Sequence, residues 1–163
     1  MGSRTATVTS GTVFKEAAGG GGMVENKCIF CSIAAGRAPA SMVYQDSKAL
    51  AFMDINPVNP GHVLVIPRKH AAFLADLDPD SGSEIFKLGM RMASAIRKTD
   101  IKCEAVNLIL ADGEAAGQEV FHVHLHVVPR YREDNFSMSS HRRIILTREE
   151  LSSLSAKISR SLE

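Results

Sequence analysis

The stretch Phe121-His122-Val123-His124-Leu125-His126-Val127-Val128-Pro129 decides how the rest of the chain is read. In an extended strand successive side chains alternate faces, so Val123, Leu125 and Val127 point into a core while His122, His124 and His126 line the other face. A lone histidine in such a place is ordinarily the polar residue of a half-wet strand. Three at a spacing of two, half of the six histidines in the chain, point to a shared site instead. Imidazole serves near neutral pH as nucleophile, proton carrier or metal ligand, and spacing alone does not choose among these. One reading puts zinc on all three rings with a position left open for water. The other has the central imidazole attack phosphorus while its neighbours orient and neutralise the oxygens. The residues just upstream favour the second, because Gly113, Gly117 and Gln118 make a glycine-bearing turn whose backbone N–H groups could cradle a phosphate.

Outward from this strand the chain alternates short strands and helices. Val43 to Asp54, with Asp46-Ser47 between its apolar positions, predicts a hairpin that ends at Asn56-Pro57 and Asn59-Pro60-Gly61. His62-Val63-Leu64-Val65-Ile66-Pro67 is a β-branched run between turn signals and predicts a central strand. Asp78-Pro79-Asp80-Ser81 opens the longest helical pattern, with Ile85, Leu88, Met92 and Ile96 along one face. Ala105 to Leu110 and Phe121 to Val128 alternate as strands. Cys28 to Ala35 predicts a short helix ended by Gly36, with its two cysteines one turn apart, and Thr147 with Glu150 forms a capping box ahead of a final helix. Strands with helices set between them predict an α+β fold.

The length of 163 residues fits one domain, and the 45% hydrophobic and 23% charged fractions are those of an ordinary globular core. Residues 1–22 are small and polar and close on Gly19-Gly20-Gly21-Gly22, so they are expected to form a disordered tail, with the domain spanning residues 23–163. Nineteen Lys and Arg against 18 Asp and Glu leave a formal charge of +1, which gives no broad electrostatic surface for nucleic acid or an anionic membrane. No apolar run approaches the roughly 20 residues that span a bilayer. Three cysteines are too few for a disulfide framework, and a reducing cytoplasmic setting is expected. A Ser/Thr-rich start with Arg4 and a single acid leaves organellar targeting as a weaker alternative. Cys103 is expected to be a buried core thiol.

Gly117 to Arg130 resembles the signature of the histidine triad (HIT) family. Asp54-Ile55-Asn56-Pro57 through Pro60-Gly61-His62 to Arg68-Lys69-His70 resembles that family's nucleoside-binding stretch, and Cys28-Ile29-Phe30-Cys31 the amino-terminal zinc half-site of its bacterial-type branch. The likeness runs from Lys27 to about Phe136. It implies an antiparallel half-barrel sheet with a long helix and a carboxyl-terminal helix, paired as a two-fold homodimer in which the Ile85 to Ile96 stripe either serves the interface or covers its own sheet. It implies a hydrolase that releases a nucleoside monophosphate such as AMP from nucleoside phosphoramidates or diadenosine polyphosphates through a nucleotidyl-histidine.

On that resemblance His124 is the nucleophile, His126 holds a phosphate oxygen and His62 approaches the same phosphate. Asp54 takes the ribose hydroxyls, Ile55 belongs to the wall against the base, and Gly117, Gln118 and Glu119 lie beside the nucleotide. Cys28, Cys31, His70 and His122 form a closed Cys2His2 structural zinc site, and no catalytic cofactor is implied. Two residues depart from the family pattern: Ala111 stands where Asn or Gln is common, and Glu119 where several members have Ser or Thr. Glu119 is expected to face solvent, to serve a departing amine, or to be offset by Arg130. The rival readings are a nucleotide-binding regulatory module with little turnover and a zinc metallohydrolase.

Overall fold

A computed structural model of the chain describes residues 28–134, 136 and 146–159. The expected tail, residues 1–22, and residues 23–27 of the expected domain lie outside the described residues. The elements are α1 (Ile29–Ala34), β1 (Met42–Gln45), β2 (Ala49–Met53), β3 (Val63–Pro67), α2 (Pro79–Ile96), β4 (Ala105–Leu110), β5 (Leu125–Arg130) and α3 (Arg148–Ser159), with single 3-10 turns at Leu74–Asp76 and Glu114–Ala116. All strand pairs are antiparallel, in the order β1-β2-β3-β5-β4.

The hairpin forms because Asp46 closes it, its Oδ1 accepting from the backbone N–H groups of Lys48 at 2.8 Å and Ala49 at 2.9 Å. Strands β2 and β3 then pair in full register from Ala49↔Pro67 to Met53↔Val63. Both are apolar at successive positions and buried on both faces, which is the mark of strands with cover above and below. On one face Ala49, Ala51, Val63, Val65, Leu125 and Val127 pack against α2. On the other, Leu50, Phe52, Leu64 and Ile66 pack against Phe30, Cys31 and Ile33 of α1.

Asp78 caps α2 as expected, its Oδ1 accepting from Ser81 N–H at 2.9 Å, with Pro79 at the first helical position. The stripe Ile85, Leu88, Met92 and Ile96 is buried against the helix's own sheet. Of the two roles open to it, it covers the sheet, and each side chain so buried contributes about 2 kcal/mol. Helix and sheet approach closely at Gly89, where a Cβ would lie 2.6 Å from Leu125 Cδ2. The capping box of α3 is formed in both directions, between Thr147 N–H and Glu150 Oε2 at 2.7 Å and between Glu150 N–H and Thr147 Oγ1 at 3.2 Å. Cys103 is only partly buried rather than a sealed core thiol, and its Sγ donates to the Ala105 carbonyl. Among the described residues no helix is long and apolar enough to cross a membrane.

The histidine strand is shorter than its alternation predicts. The β ladder begins only at Leu125, and Phe121 to His124 are irregular. Pairing with β3 stops at Val65↔Leu125, and upstream of it the partners change. His122 Nε2 donates to the Pro67 carbonyl at 2.9 Å and Val123 N–H to the Ala71 carbonyl at 2.7 Å, so the chain leaves the ladder to follow the segment after β3. Alternation of faces nevertheless persists, with Val123 in the α2 core and the histidines toward α1.

Candidate active site and metal cluster

The three histidines of the strand do three different things, and backbone acceptors decide which. A carbonyl oxygen can only accept, so any ring nitrogen facing one carries the proton and the other nitrogen keeps its lone pair. His122 donates through Nε2, which frees Nδ1. His124 donates through Nδ1 to the carbonyl of His122 at 2.8 Å, which frees Nε2. His126 Nδ1 lies 2.9 Å from His62 Nε2, and His62 Nδ1 already accepts the Val58 N–H at 3.2 Å. His62 therefore donates through Nε2, His126 accepts through Nδ1, and the proton of His126 sits on Nε2. Burial lowers the pKa of His126 to about 4, with the neighbouring His124 and His62 pushing the same way and Asp54 opposing. Burial also lowers that of His62 against the opposing Asp54 carboxylate.

The freed Nδ1 of His122 enters a cluster of four donors. It lies 3.5 Å from the Sγ of Cys28 and of Cys31 and 3.3 Å from His70 Nδ1, which is itself 3.3 Å from Cys31 Sγ. All four ligand atoms fall within 4.8 Å of one another. A tetrahedral zinc with Zn–S near 2.3 Å and Zn–N near 2.05 Å sets its donors about 3.3–3.8 Å apart, so the four spacings of 3.3–3.5 Å fit such an ion. Burial pushes His122 down to about 4, which keeps its lone pair available. The metallohydrolase reading needs His122, His124 and His126 to converge on one point, and they do not: His122 turns its Nδ1 to the cysteines, and His124 its Nδ1 to the His122 carbonyl.

His124 and His126 open instead on a cleft of about 310 Å³, within the usual size of small-molecule sites. Its other walls come from Ile29, Phe30 and Ile33 of α1, from Phe52 and Leu64 of the sheet, from Asp54, Ile55 and Asn56, and from Glu119. Register places Leu64 opposite His126. Phe30 meets the His124 ring edge to face at 5.2 Å. Ile55 is 91% exposed at this mouth, a bare apolar surface for a flat ring to lie on. Asp54 closes a turn through Oδ1, which accepts Asn56 N–H at 2.8 Å, and its Oδ2 lies 3.4 Å from His62 Nδ1.

Other expected site residues lie elsewhere. His62 is 3% exposed and stands behind His126 rather than in the cleft wall. Gln118 is also 3% exposed: its Oε1 accepts Gly113 N–H at 2.7 Å, and its Nε2 donates to the carbonyls of Ala72 at 2.8 Å and Val120 at 3.2 Å. The expected phosphate cradle is occupied by the loop itself, since Gly113 N–H goes to Gln118, Gly117 N–H to Glu114 O and Gln118 N–H to Gly113 O. Gly117 is needed for shape, at φ +88°. Arg130 does not offset Glu119. Its guanidinium donates to Asp134, to Asn107 and to the Phe136 carbonyl, and Asn59 joins Asp134 to Pro129 O at 2.9 Å.

Sequence reasoning did not single out Phe30, Ile33, Phe52 or Leu64 as cleft residues. Their only signal was that α1, β2 and β3 are apolar on faces a single core does not use. Asn59 gave no signal beyond its turn.

The profile of the HIT domain family matches residues 35–133. An uncharacterized HIT-like protein of Borreliella burgdorferi is 37% identical over 136 residues, 83% of this chain and 98% of that protein. The crystal structure of a Zn-bound histidine triad family protein from Mycobacterium smegmatis matches with a TM-score of 0.66 at 37% identity, covering 84% of this chain and 99% of that one. An adenylylsulfatase, HINT3 of Arabidopsis thaliana, is 34% identical over 111 residues, 68% of this chain and 56% of that protein.

Proposed function

Because the chain belongs to the histidine triad (HIT) domain family, we propose that it is a nucleotide hydrolase releasing a nucleoside monophosphate, with AMP as the natural product, from nucleoside phosphoramidates or diadenosine polyphosphates. The observation that carries this reading is the His124 Nδ1 contact with the His122 carbonyl, which leaves Nε2 as a lone-pair nucleophile on the cleft. His124 Nε2 attacks the α-phosphorus, and the bond to the leaving group breaks with its electron pair; a departing amine takes a proton from solvent, and the water that attacks in the second step returns one to solvent. Water then attacks phosphorus, the P–N bond to His124 breaks, and the ring recovers its lone pair. The Nε2–H of His126 donates to a phosphoryl oxygen as charge builds, and His62 fixes the tautomer that makes this possible. Asp54 receives the ribose hydroxyls, and Ile55 takes the base.

Cys28, Cys31, His70 and His122 hold one structural zinc in this reading, supported by the donor spacing and by the Zn-bound relative. A closed four-ligand zinc ties α1 to the histidine strand and supplies rigidity rather than a water nucleophile. The enzyme is read as a cytoplasmic homodimer. The edge strand β4 and the groove of Met90, Ala93, Ser94 and Arg97 beside it offer the apolar surface for pairing. Turnover of adenosine phosphoramidate, diadenosine triphosphate and adenylyl sulfate by the parent and by His124→Asn tests the reading. Loss of turnover to background with AMP binding retained is the expected result. A His124→Asn protein that still turns over at the parental rate would reject it.

A further inference from the structure

We propose that Glu119 selects the leaving group, favouring nucleoside phosphoramidates whose departing amine carries a second, positively charged group and disfavouring polyphosphate leaving groups. The proposal deepens the hydrolase reading above and rests on it. Its ground is the charge inventory of the cleft. The described lining holds two carboxylates, Asp54 and Glu119, and no Lys or Arg. His126 adds no compensating charge at neutral pH, because burial keeps it neutral down to about pH 4. Arg130, the cation expected to balance Glu119, is held by Asp134, Asn107 and Phe136 O.

Glu119 is also fixed in place. Gln118, the residue before it, is pinned by three partly buried hydrogen bonds, and the carbonyl of Val120, the residue after it, accepts from both Gln118 Nε2 and His122 N–H. The Glu119 backbone thus has little freedom, and its side chain, exposed to solvent as expected, also lines the cleft with His124 and His126. One bound phosphate can be met by neutral N–H donors. Each further phosphate in the leaving group brings negative charge toward a carboxylate with no cation in the lining to meet it, whereas an ammonium group is attracted.

Three adenosine 5′-phosphoramidates of similar reach separate the cases: those of propylamine (neutral), ethylenediamine (cationic) and β-alanine (anionic). The parent is expected to show kcat/KM about tenfold higher for the cationic than for the anionic compound, narrowing as salt is raised. Glu119→Gln should bring the two within about threefold and Glu119→Lys should reverse their order, a shift of more than tenfold between the variants. Glu114→Gln, on the same loop but outside the cleft lining, should keep the parental order. An identical order in the parent, Glu119→Gln and Glu119→Lys would overturn the role of Glu119 while leaving the hydrolase reading intact. Failure of the parent to hydrolyse any of the three would overturn the selection proposed here, and failure on diadenosine triphosphate as well would overturn the hydrolase reading.

Discussion

His124 takes its orientation from His122: the Nδ1 of the one donates to the carbonyl oxygen of the other at 2.8 Å, while the His122 ring reaches the two cysteine sulfurs at 3.5 Å. One peptide unit therefore joins the metal cluster to the ring on the cleft. Disturbing the cluster should loosen the His124 ring, the nucleophile of the proposed reaction, without removing it. Cys31→Ser is expected to abolish stoichiometric zinc, to lower the thermal midpoint and to reduce kcat by about 10- to 100-fold, in the range seen when support around a site is lost. His124→Asn should instead lose turnover altogether while keeping its zinc. Metal content and single-turnover rates on the same samples check this, and a Cys31→Ser protein with no zinc and parental kcat would show that the two sites are independent.

Gln118 bears on the loop rather than on the ligand. Replacing it with Leu leaves the Gly113 N–H and the Ala72 carbonyl without their partner in a partly buried setting. Each orphaned group costs about 1–3 kcal/mol, so Gln118→Leu is expected to destabilise by several kcal/mol and to raise amide exchange across residues 113–120. A family reading alone predicts a different result, weaker nucleotide binding at unchanged stability. Denaturant unfolding together with hydrogen exchange separates the two.

The legibility of this chain followed the range of its interactions. Local signals read well: the Asp78-Pro79 start of α2, the Asp46 turn and the Thr147/Glu150 box are each closed by contacts within three residues. The Cys28, Cys31, His70 and His122 cluster was reached only through the resemblance, because its partners are as many as 94 residues apart. Periodicity extended β5 too far because face alternation continues through His122 and His124 after the ladder has ended. Burial decided the rest. Spacing does not reveal that Gln118 turns inward to the Ala72 carbonyl, that His62 stands behind His126, or that Arg130 is committed to Asp134, since each depends on which partner the folded chain brings within reach.

Gly89 holds α2 against β5. An added Cβ would stand 2.6 Å from Leu125 Cδ2, and Leu125 is 5% exposed and adjoins His124. Gly89→Ala should therefore push helix and strand apart and destabilise by about 1–3 kcal/mol, despite alanine's better helix propensity. Leu125→Ala alone removes core volume and is expected to destabilise by about 2–5 kcal/mol. The double variant should be less destabilised than the sum, because the shortened side chain makes room for the new methyl. Additive values in a thermodynamic cycle would place the strain somewhere else.

Stability should fall on mild acidification in a window set by histidines and not by carboxylates. His126 is lowered to about 4 and His62 is lowered as well, both chiefly by burial. Between about pH 6.5 and 4 the unfolded chain takes up protons that these folded rings refuse, so the unfolded state binds more protons and stability rises with pH across that interval. On acidification it is lost from about pH 6.5 downward, with His126 contributing at most about 3 kcal/mol. The depressed carboxylates have a separate, lower window. Asp46 is lowered mainly by the Ala49 and Lys48 amides, Asp78 by Ser81 and Asp134 by Arg130, and each loses its contribution only below pH 3.8. Urea unfolding of His126→Gln at steps from pH 7 to 3 should give a shallower loss than the parent, with the two curves parallel below pH 4. Equal slopes through the upper interval would mean that the folded His126 ring takes up its proton as readily as the unfolded one.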